Sequence, residues 1–337
     1  MERGEGIEEF AEAIPRGDTA MPNGNKLELY LPITVIGLSP MGDVRFCRCI
    51  DDNSPIVMKT IHKYLVQSED EARRICDRLN WLLTINHPFI LNTRDVFQDE
   101  KNVYVMSDFC SGGSLHSMIQ TFSHLTENQA KYIAIQLSIA LDYLHSVSCL
   151  YASLIAENVL MDKEGVIHLT GFTNALVNVP FPYYKMIGYI EHMSPEMLLN
   201  KGIDYSYDWY MLGCLVYEMI EGILPFHGDT AKMTLQMILL GKIEYTYASP
   251  EAQSFINALL EPQPSKRLGS NLNDVKNHPW LADMPWDNIS NRSTPSPLIR
   301  MNKTADPTSF CPHYKEDILE EGDNPQLYNE VFFNELH

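Results

Sequence analysis

The sequence predicts an α+β chain of two unequal parts, a small β-rich one followed by a larger helical one. From about Tyr30 to Asp108, apolar runs of strand length recur between turn residues; after Gly112 and Gly113 the apolar spacing becomes helical. At 337 residues and 45% hydrophobic content, the chain exceeds one ordinary domain and has material for a large core or two.

Residues 1–29 are acidic and then punctuated by Pro, Gly and Asn (TAMPNGNK), which reads as an arm with at most one short helix. LPITVIG, DVRFCRCI, PIVMKTI and NVYVMSDF read as strands, with a charged helix, SEDEARRICDRLNWLL, between the third and fourth. Four helical stretches follow: NQAKYIAIQLSIALDYLHS, YDWYMLGCLVYEMIEG, TLQMILLG and SPEAQSFINALLE. The final stretch, WDNISNRSTPSPLIR to FFNELH, is irregular, Pro-rich and then acidic, as an extended tail would be. The predicted boundaries are 1–29 for the arm, 30–108 for the small lobe, 109–283 for the large lobe and 284–337 for the tail.

Forty-four acidic against 25 basic residues give a formal charge of −19, which disfavours nucleic-acid backbones and anionic membranes and favours basic partners. The seven cysteines form no CxxC and lie mostly in apolar runs, as reduced core residues do. No apolar run reaches the ~18 residues of a membrane span, and the first residues show no leader pattern. The expected location is the cytoplasm or nucleus.

A series of landmarks then appears in a fixed order. GLSPMGDV (37–44) lies between two strand runs, and VMK (57–59) places a lysine on the third strand. YASLIAENVL (151–160) follows the helical LDYLHS; LTGFT (169–173), SPE (194–196), DWYMLG (208–213), SKRLG (265–269) and NHPW (277–280) follow in turn. Any one of these is weak, but the order as a whole resembles eukaryotic protein kinases. INHPFI, YLHS, SKRLG, VKNHPW and the terminal FNEL narrow the resemblance to the AGC group, near the catalytic subunits of cyclic-AMP-dependent protein kinases. It covers Tyr30 to the C-terminus and implies a bilobal kinase fold with an AGC-type tail, whose Phe332, Phe333 and Leu336 would dock on the small lobe.

Phosphoryl transfer needs a lysine on the phosphates, a glutamate orienting it, Asp and Asn holding metal, and an Asp taking the substrate proton. Lys59 is present, but Arg78 stands at the glutamate; two cations there repel, so the helix is expected to swing out or Lys59 to turn to another acid such as Asp77. Ser153 stands at the base aspartate, Ala152 at its arginine and Ile155 at a phosphate-contacting lysine. A serine takes no proton near neutral pH without a base beside it. Gly171 replaces the metal-holding aspartate, which leaves Asn158 as the lone weak metal candidate, so magnesium binding is not expected.

The resemblance assigns Gly37, Gly42, Val44, Val57, Lys59, Asn158 and Leu160 to a nucleotide site. Ser39 and Pro40 stiffen its hairpin and remove a donor, so ATP binding is expected to be weak at best. Lys185 replaces the activation-segment threonine while Ala152 replaces the arginine that would grip its phosphate, so that switch is lost as a pair. Glu196, Arg267 and Asp208, the scaffold acids and cation, are retained.

The expected function is that of a pseudokinase acting as scaffold, allosteric partner or competitor. Its retained Glu157 and Glu218 would hold a basic pseudosubstrate-like segment, such as that of a cyclic-AMP-kinase regulatory subunit, while Ser114 replaces a third acid. Two alternatives stand beside it: an active Ser/Thr kinase with rearranged residues, and a nucleotide-sensing module without turnover.

Overall fold

The computed structural model describes residues 26–269 and 271–298. Residues 1–25 of the arm, Cys311, Phe332, Phe333 and Leu336 lie outside them, while Lys26–Leu29 form a single 3₁₀ turn. The described residues form two compact units, a β-rich one (26–85 and 92–109) and a helical one (86–91 and 110–298).

The β-rich unit is an antiparallel five-stranded sheet with one helix. Strands β1 (Tyr30–Ser39), β2 (Gly42–Cys49) and β3 (Pro55–His62) precede helix α1 (Glu69–Thr84), and β4 (Thr93–Gln98) and β5 (Asn102–Asp108) follow it. The sheet order is β1-β2-β3-β5-β4. Period-two burial selects one face: Cys47, Ile56, Met58, Tyr104 and Met106 form a cluster onto which Leu27, Tyr30 and Phe97 pack. Helix α1 starts at Ser68, whose side chain accepts the Glu71 N–H at 3.2 Å, and three acids in its first turn complement the helix dipole. Its buried Ala72, Ile75, Cys76 and Leu79 fall on one stripe, and the helix packs on β4.

The helical unit is built from α2 (Leu115–Phe122), α3 (Glu127–Ser146), α4 (Pro195–Leu198), α5 (Ser206–Glu221), α6 (Ala231–Leu240), α7 (Pro250–Leu259), α8 (Leu272–Lys276) and α9 (Trp286–Ser290). Four short strands, β6 (Cys149–Leu150), β7 (Val159–Met161), β8 (Ile167–Leu169) and β9 (Leu176–Val177), pair as β6-β9 and β7-β8. Helix α5 is buried on nearly every side, which makes it the axis of the unit, with α3 and α7 against it. It stops at Gly222 in a left-handed conformation (φ 78°), where a β-carbon would lie 1.9 Å from the Ser123 carbonyl oxygen.

Segment 86–91 belongs to the helical unit although its neighbours on both sides do not. Leu91 N–H donates to the Leu169 carbonyl at 2.8 Å and Leu169 N–H returns to that of Phe89 at 2.9 Å. The start of the tail lies along the same unit: Arg292 covers the Phe89 ring, and Ser296 Oγ donates to the Gly165 carbonyl at 2.8 Å.

Candidate functional site

The β-rich unit carries the first half of the expected nucleotide positions on three adjacent strands. Val44 pairs with Gly37 on one side and with Lys59 on the other, and Val57 pairs with Phe46 and Ser107. The hairpin tip is tied down. Ser39 Oγ donates to the Gly42 carbonyl at 3.0 Å, and the Met41 carbonyl accepts the His62 N–H at 2.8 Å. Gly42 is sterically required, since a β-carbon there would sit 2.4 Å from the Thr60 carbonyl oxygen. Gly37 is not: a β-carbon would meet only Val44, at an ordinary 3.7 Å.

Burial pushes the Lys59 ammonium down to about 8, and the Arg78 guanidinium adds to the shift. Arg78 is thus close enough to act on Lys59, where the sequence reading expects repulsion to swing the helix out or to turn Lys59 to another acid. Among the described residues no carboxylate, Asp77 included, forms an ion pair with Lys59.

In the helical unit the turn 151–158 is held from below by Asp208 of α5. Its carboxylate accepts the N–H of Tyr151 (2.9 Å) and of Ala152 (2.7 Å) and contacts His145 Nε2 at 2.7 Å. Ala152 is thereby held at φ 50°, a left-handed conformation costly for any residue with a β-carbon. Tyr151 packs on Phe172 with ring centroids 5.0 Å apart, and its hydroxyl donates to the Thr170 carbonyl. Glu196 and Arg267 form a two-pronged buried pair at 2.8 and 2.9 Å, which ties segment 194–198 to the turn after α7.

The chemically expectant positions look different. Ser153 is 1% exposed and its hydroxyl has no hydrogen-bond partner. Asn158 donates its amide N–H to the Ser153 carbonyl at 2.9 Å. Gly171 lies in a left-handed conformation (φ 71°), and a β-carbon there would stand 2.2 Å from Asn158 Oδ1. The Asn158 amide thus fills the space that a side chain at 171 would use. Leu160 is half-buried on β7, opposite His168 and bridged to Ser114. Among the described residues no group of three or more His, Cys, Asp or Glu side chains is placed to hold a metal ion.

A separate acidic cluster surrounds Glu157. Helix α2 packs on turn 156–158 and brings His116 Nδ1 to 3.3 Å from Glu157 Oε1. Glu218 of α5 is half-buried, and burial first, Glu157 second, raises its carboxyl to about 7. His192 in turn 190–192 is 6% exposed, both ring nitrogens lack partners, and burial lowers it against the opposing pull of Glu157 and Glu191. The sequence singles out the two acids; the histidines, distant along the chain and outside any motif, give no such signal.

This order of elements and these retained scaffold contacts define a kinase fold. The chain matches the protein kinase domain family over residues 30–281 and belongs to it. It is 31% identical to the cAMP-dependent protein kinase type 3 of Saccharomyces cerevisiae over 79% of this chain and 67% of that protein. It is 30% identical to a cAMP-dependent protein kinase catalytic subunit of Arthrobotrys oligospora, over 88% of this chain and 58% of that one. A ribosomal protein S6 kinase 2 alpha of Gallus gallus is 33% identical over 79% of this chain. The chain spans only 36% of the length of that S6 kinase. These relatives belong to the AGC group, and the fold class is α+β as the sequence predicts. No helix of the described residues is long and apolar enough to cross a membrane.

Proposed function

We propose that this chain is a catalytically impaired protein kinase, a pseudokinase that acts through what it binds. The observation that carries this reading is the interlock of Gly171 with Asn158. The one position has no side chain, and the other spends its amide on the Ser153 carbonyl and fills the vacated space. Magnesium demands several oxygen ligands in near-octahedral geometry, and this donor set does not fit it. At the base position Ser153 is buried without a partner to take its proton, and Lys59 faces Arg78 in place of an acid. A combined loss of about 10⁴ would reduce a typical turnover of about 1–100 per second to about 10⁻⁴–10⁻² per second. ATP then binds weakly and without magnesium.

The proposed ligand is a basic, pseudosubstrate-like protein segment held by Glu157 and Glu218, such as that of a cyclic-AMP-kinase regulatory subunit. The chain then serves as scaffold or competitor in the cytoplasm or nucleus. The strongly acidic balance and the intact ion pair and Asp208 contacts support this, because they preserve a large-lobe surface. The test is phosphate transfer to basic peptides and to the chain itself, compared with Lys59→Ala. No difference between the two proteins is expected; lysine-dependent transfer near one turnover per second overturns the reading.

A further inference from the structure

The start of the tail carries two hydroxyl–proline pairs in four residues, Thr294-Pro295 and Ser296-Pro297, in a stretch that the candidate site does not use. The two hydroxyl residues are held differently. Thr294 contributes its backbone N–H, which donates to the Asn288 carbonyl at 3.3 Å. Ser296 contributes its side chain: Oγ donates to the Gly165 carbonyl at 2.8 Å and accepts the Leu298 N–H at 3.2 Å. Beside it the Pro297 carbonyl accepts from the Gln129 amide at 3.3 Å, and Leu298 is buried. One hydroxyl thus joins the tail to the turn between β7 and β8, and its two neighbours continue the seam onto α3 and into the core.

That contact has no spare room. Gly165 stands at φ 75°, and a β-carbon there would lie 2.7 Å from Ser296 Oγ and 3.1 Å from its β-carbon. The turn is also acidic. Asp162 folds its carboxylate back onto the N–H groups of Glu164 and Val166, both at 2.9 Å, and the turn's one lysine, Lys163, is paired with Glu164 at 3.5 Å. Ser296 itself is half-buried and lies outside helix and strand. A following proline biases Thr294 and Ser296 toward extended backbone, and Pro297 brings no N–H that needs an acceptor. This suits a modifying kinase that takes an extended segment and offers no acceptor at the residue after the hydroxyl. A kinase that selects cations before the hydroxyl finds only Arg292 nearby, and Arg292 is engaged on the Phe89 ring.

We propose that Ser296 is a phosphorylation site for a proline-directed Ser/Thr kinase, and that its phosphate releases the start of the tail from the β7–β8 turn. In the transfer the bond from the γ-phosphorus of ATP to its bridging oxygen breaks as the bond from that phosphorus to Ser296 Oγ forms. The hydroxyl proton passes to the base of the modifying kinase, and ADP leaves. The esterified oxygen then has no hydrogen for the Gly165 carbonyl. The phosphate brings about 1.5–2 negative charges toward that carbonyl and toward the turn that holds Asp162 and Glu164. Lost donation, size and charge act in the same direction. The inference is independent of what Glu157 and Glu218 bind and of whether this chain transfers phosphate itself.

The experiment treats the folded full chain with ATP, magnesium and a proline-directed kinase, and maps phosphate by mass spectrometry in the wild type, Thr294→Ala and Ser296→Ala. Amide hydrogen exchange over residues 293–298 is then compared between the untreated and the phosphorylated wild type. Phosphate is expected on Ser296 in the wild type and in Thr294→Ala. The Leu298 N–H should exchange about tenfold faster or more once Ser296 is phosphorylated, while α5 keeps its protection. Ser296→Ala removes the hydroxyl without adding bulk or charge, so its exchange should rise by less. The central comparison uses one wild-type protein before and after modification, so it does not depend on the folding of any variant. Phosphate confined to Thr294, or found on neither residue, overturns the site. Phosphate on Ser296 with exchange at Leu298 unchanged or slower overturns the release. A rise in Ser296→Ala as large as that in the phosphorylated chain overturns the part given to bulk and charge.

Discussion

Two parts of the helical unit meet at Asp208 and are built to different ends. Around Asp208, Glu196 and Arg267, every charge is buried and every one is answered: by backbone N–H groups in the first case, by a two-pronged ion pair in the second. In the turn that Asp208 supports, the residues that would meet a substrate are Ala152, Ser153 and Ile155, all buried, and the one serine hydroxyl is answered by nothing. The backbone shape of the turn survives even where it is costly, at Ala152, while its side-chain chemistry is replaced by packing. Shape and chemistry in this fold are therefore held by separable sets of residues, both buried, and the shape is held by the set whose charges are paired.

The comparison is broken most forcefully at Arg267. Arg267→Ala leaves the Glu196 carboxylate buried and unpaired, and is expected to lower stability by about 3–5 kcal/mol in urea unfolding. A loss under about 1 kcal/mol would mean that the scaffold side is no better built than the turn.

Glu218 sharpens it through pH. A carboxyl raised on folding binds more protons folded than unfolded between its ordinary range and about 7, so stability falls as pH rises through that window. Glu218→Gln removes the loss. Its melting temperature should exceed that of the wild type at pH 8, by the equivalent of about 1–3 kcal/mol, and match it near pH 4.

Gly171→Asp tests the interlock. The new β-carbon meets the Asn158 amide, so a cost of about 1–2 kcal/mol is expected, with no magnesium-dependent rise in melting temperature in the presence of ATP. Adding Asn158→Ala should recover part of that cost, and the two changes should fail to add. The smallest effect is at Ser153. Since its buried hydroxyl is unpartnered, Ser153→Ala should shift stability by no more than about 1 kcal/mol, in the stabilising direction.

The sequence makes the long elements legible because their burial is periodic or continuous: β1, β2, β3 and β5, and the buried α3 and α5, lie where the apolar runs put them. It hides β4, whose TRDVFQ buries only Val96, and α2, whose eight residues follow two glycines and show too few turns for a period. Strands β6 to β9 are two or three residues long and exist only through their partners. At the site, the resemblance to the kinase motifs is what places Ser153, Gly171 and Arg78 at their positions. The rotation of Asn158 into the space at 171 cannot be read that way, because it is a rotamer, nor can the approach of His116 to Glu157, which depends on how α2 packs. Gly37 shows the opposite error: it stands at a motif glycine, yet the backbone there leaves room for a side chain.

The membership of segment 86–91 in the helical unit has a consequence for how the chain is made. Its hydrogen-bond partner is Leu169, and the ring of Phe89 is covered by Arg292. During synthesis at about 5–20 residues per second, Leu91 precedes Leu169 by on the order of 4–16 seconds, and β4 and β5 emerge in that interval. The sheet has all its strands before the apolar Phe89 and Ile90, both buried in the finished protein, have anything to pair with. For those seconds the nascent chain carries Phe89 and Ile90 without the Leu169 strand that pairs with them in the finished protein.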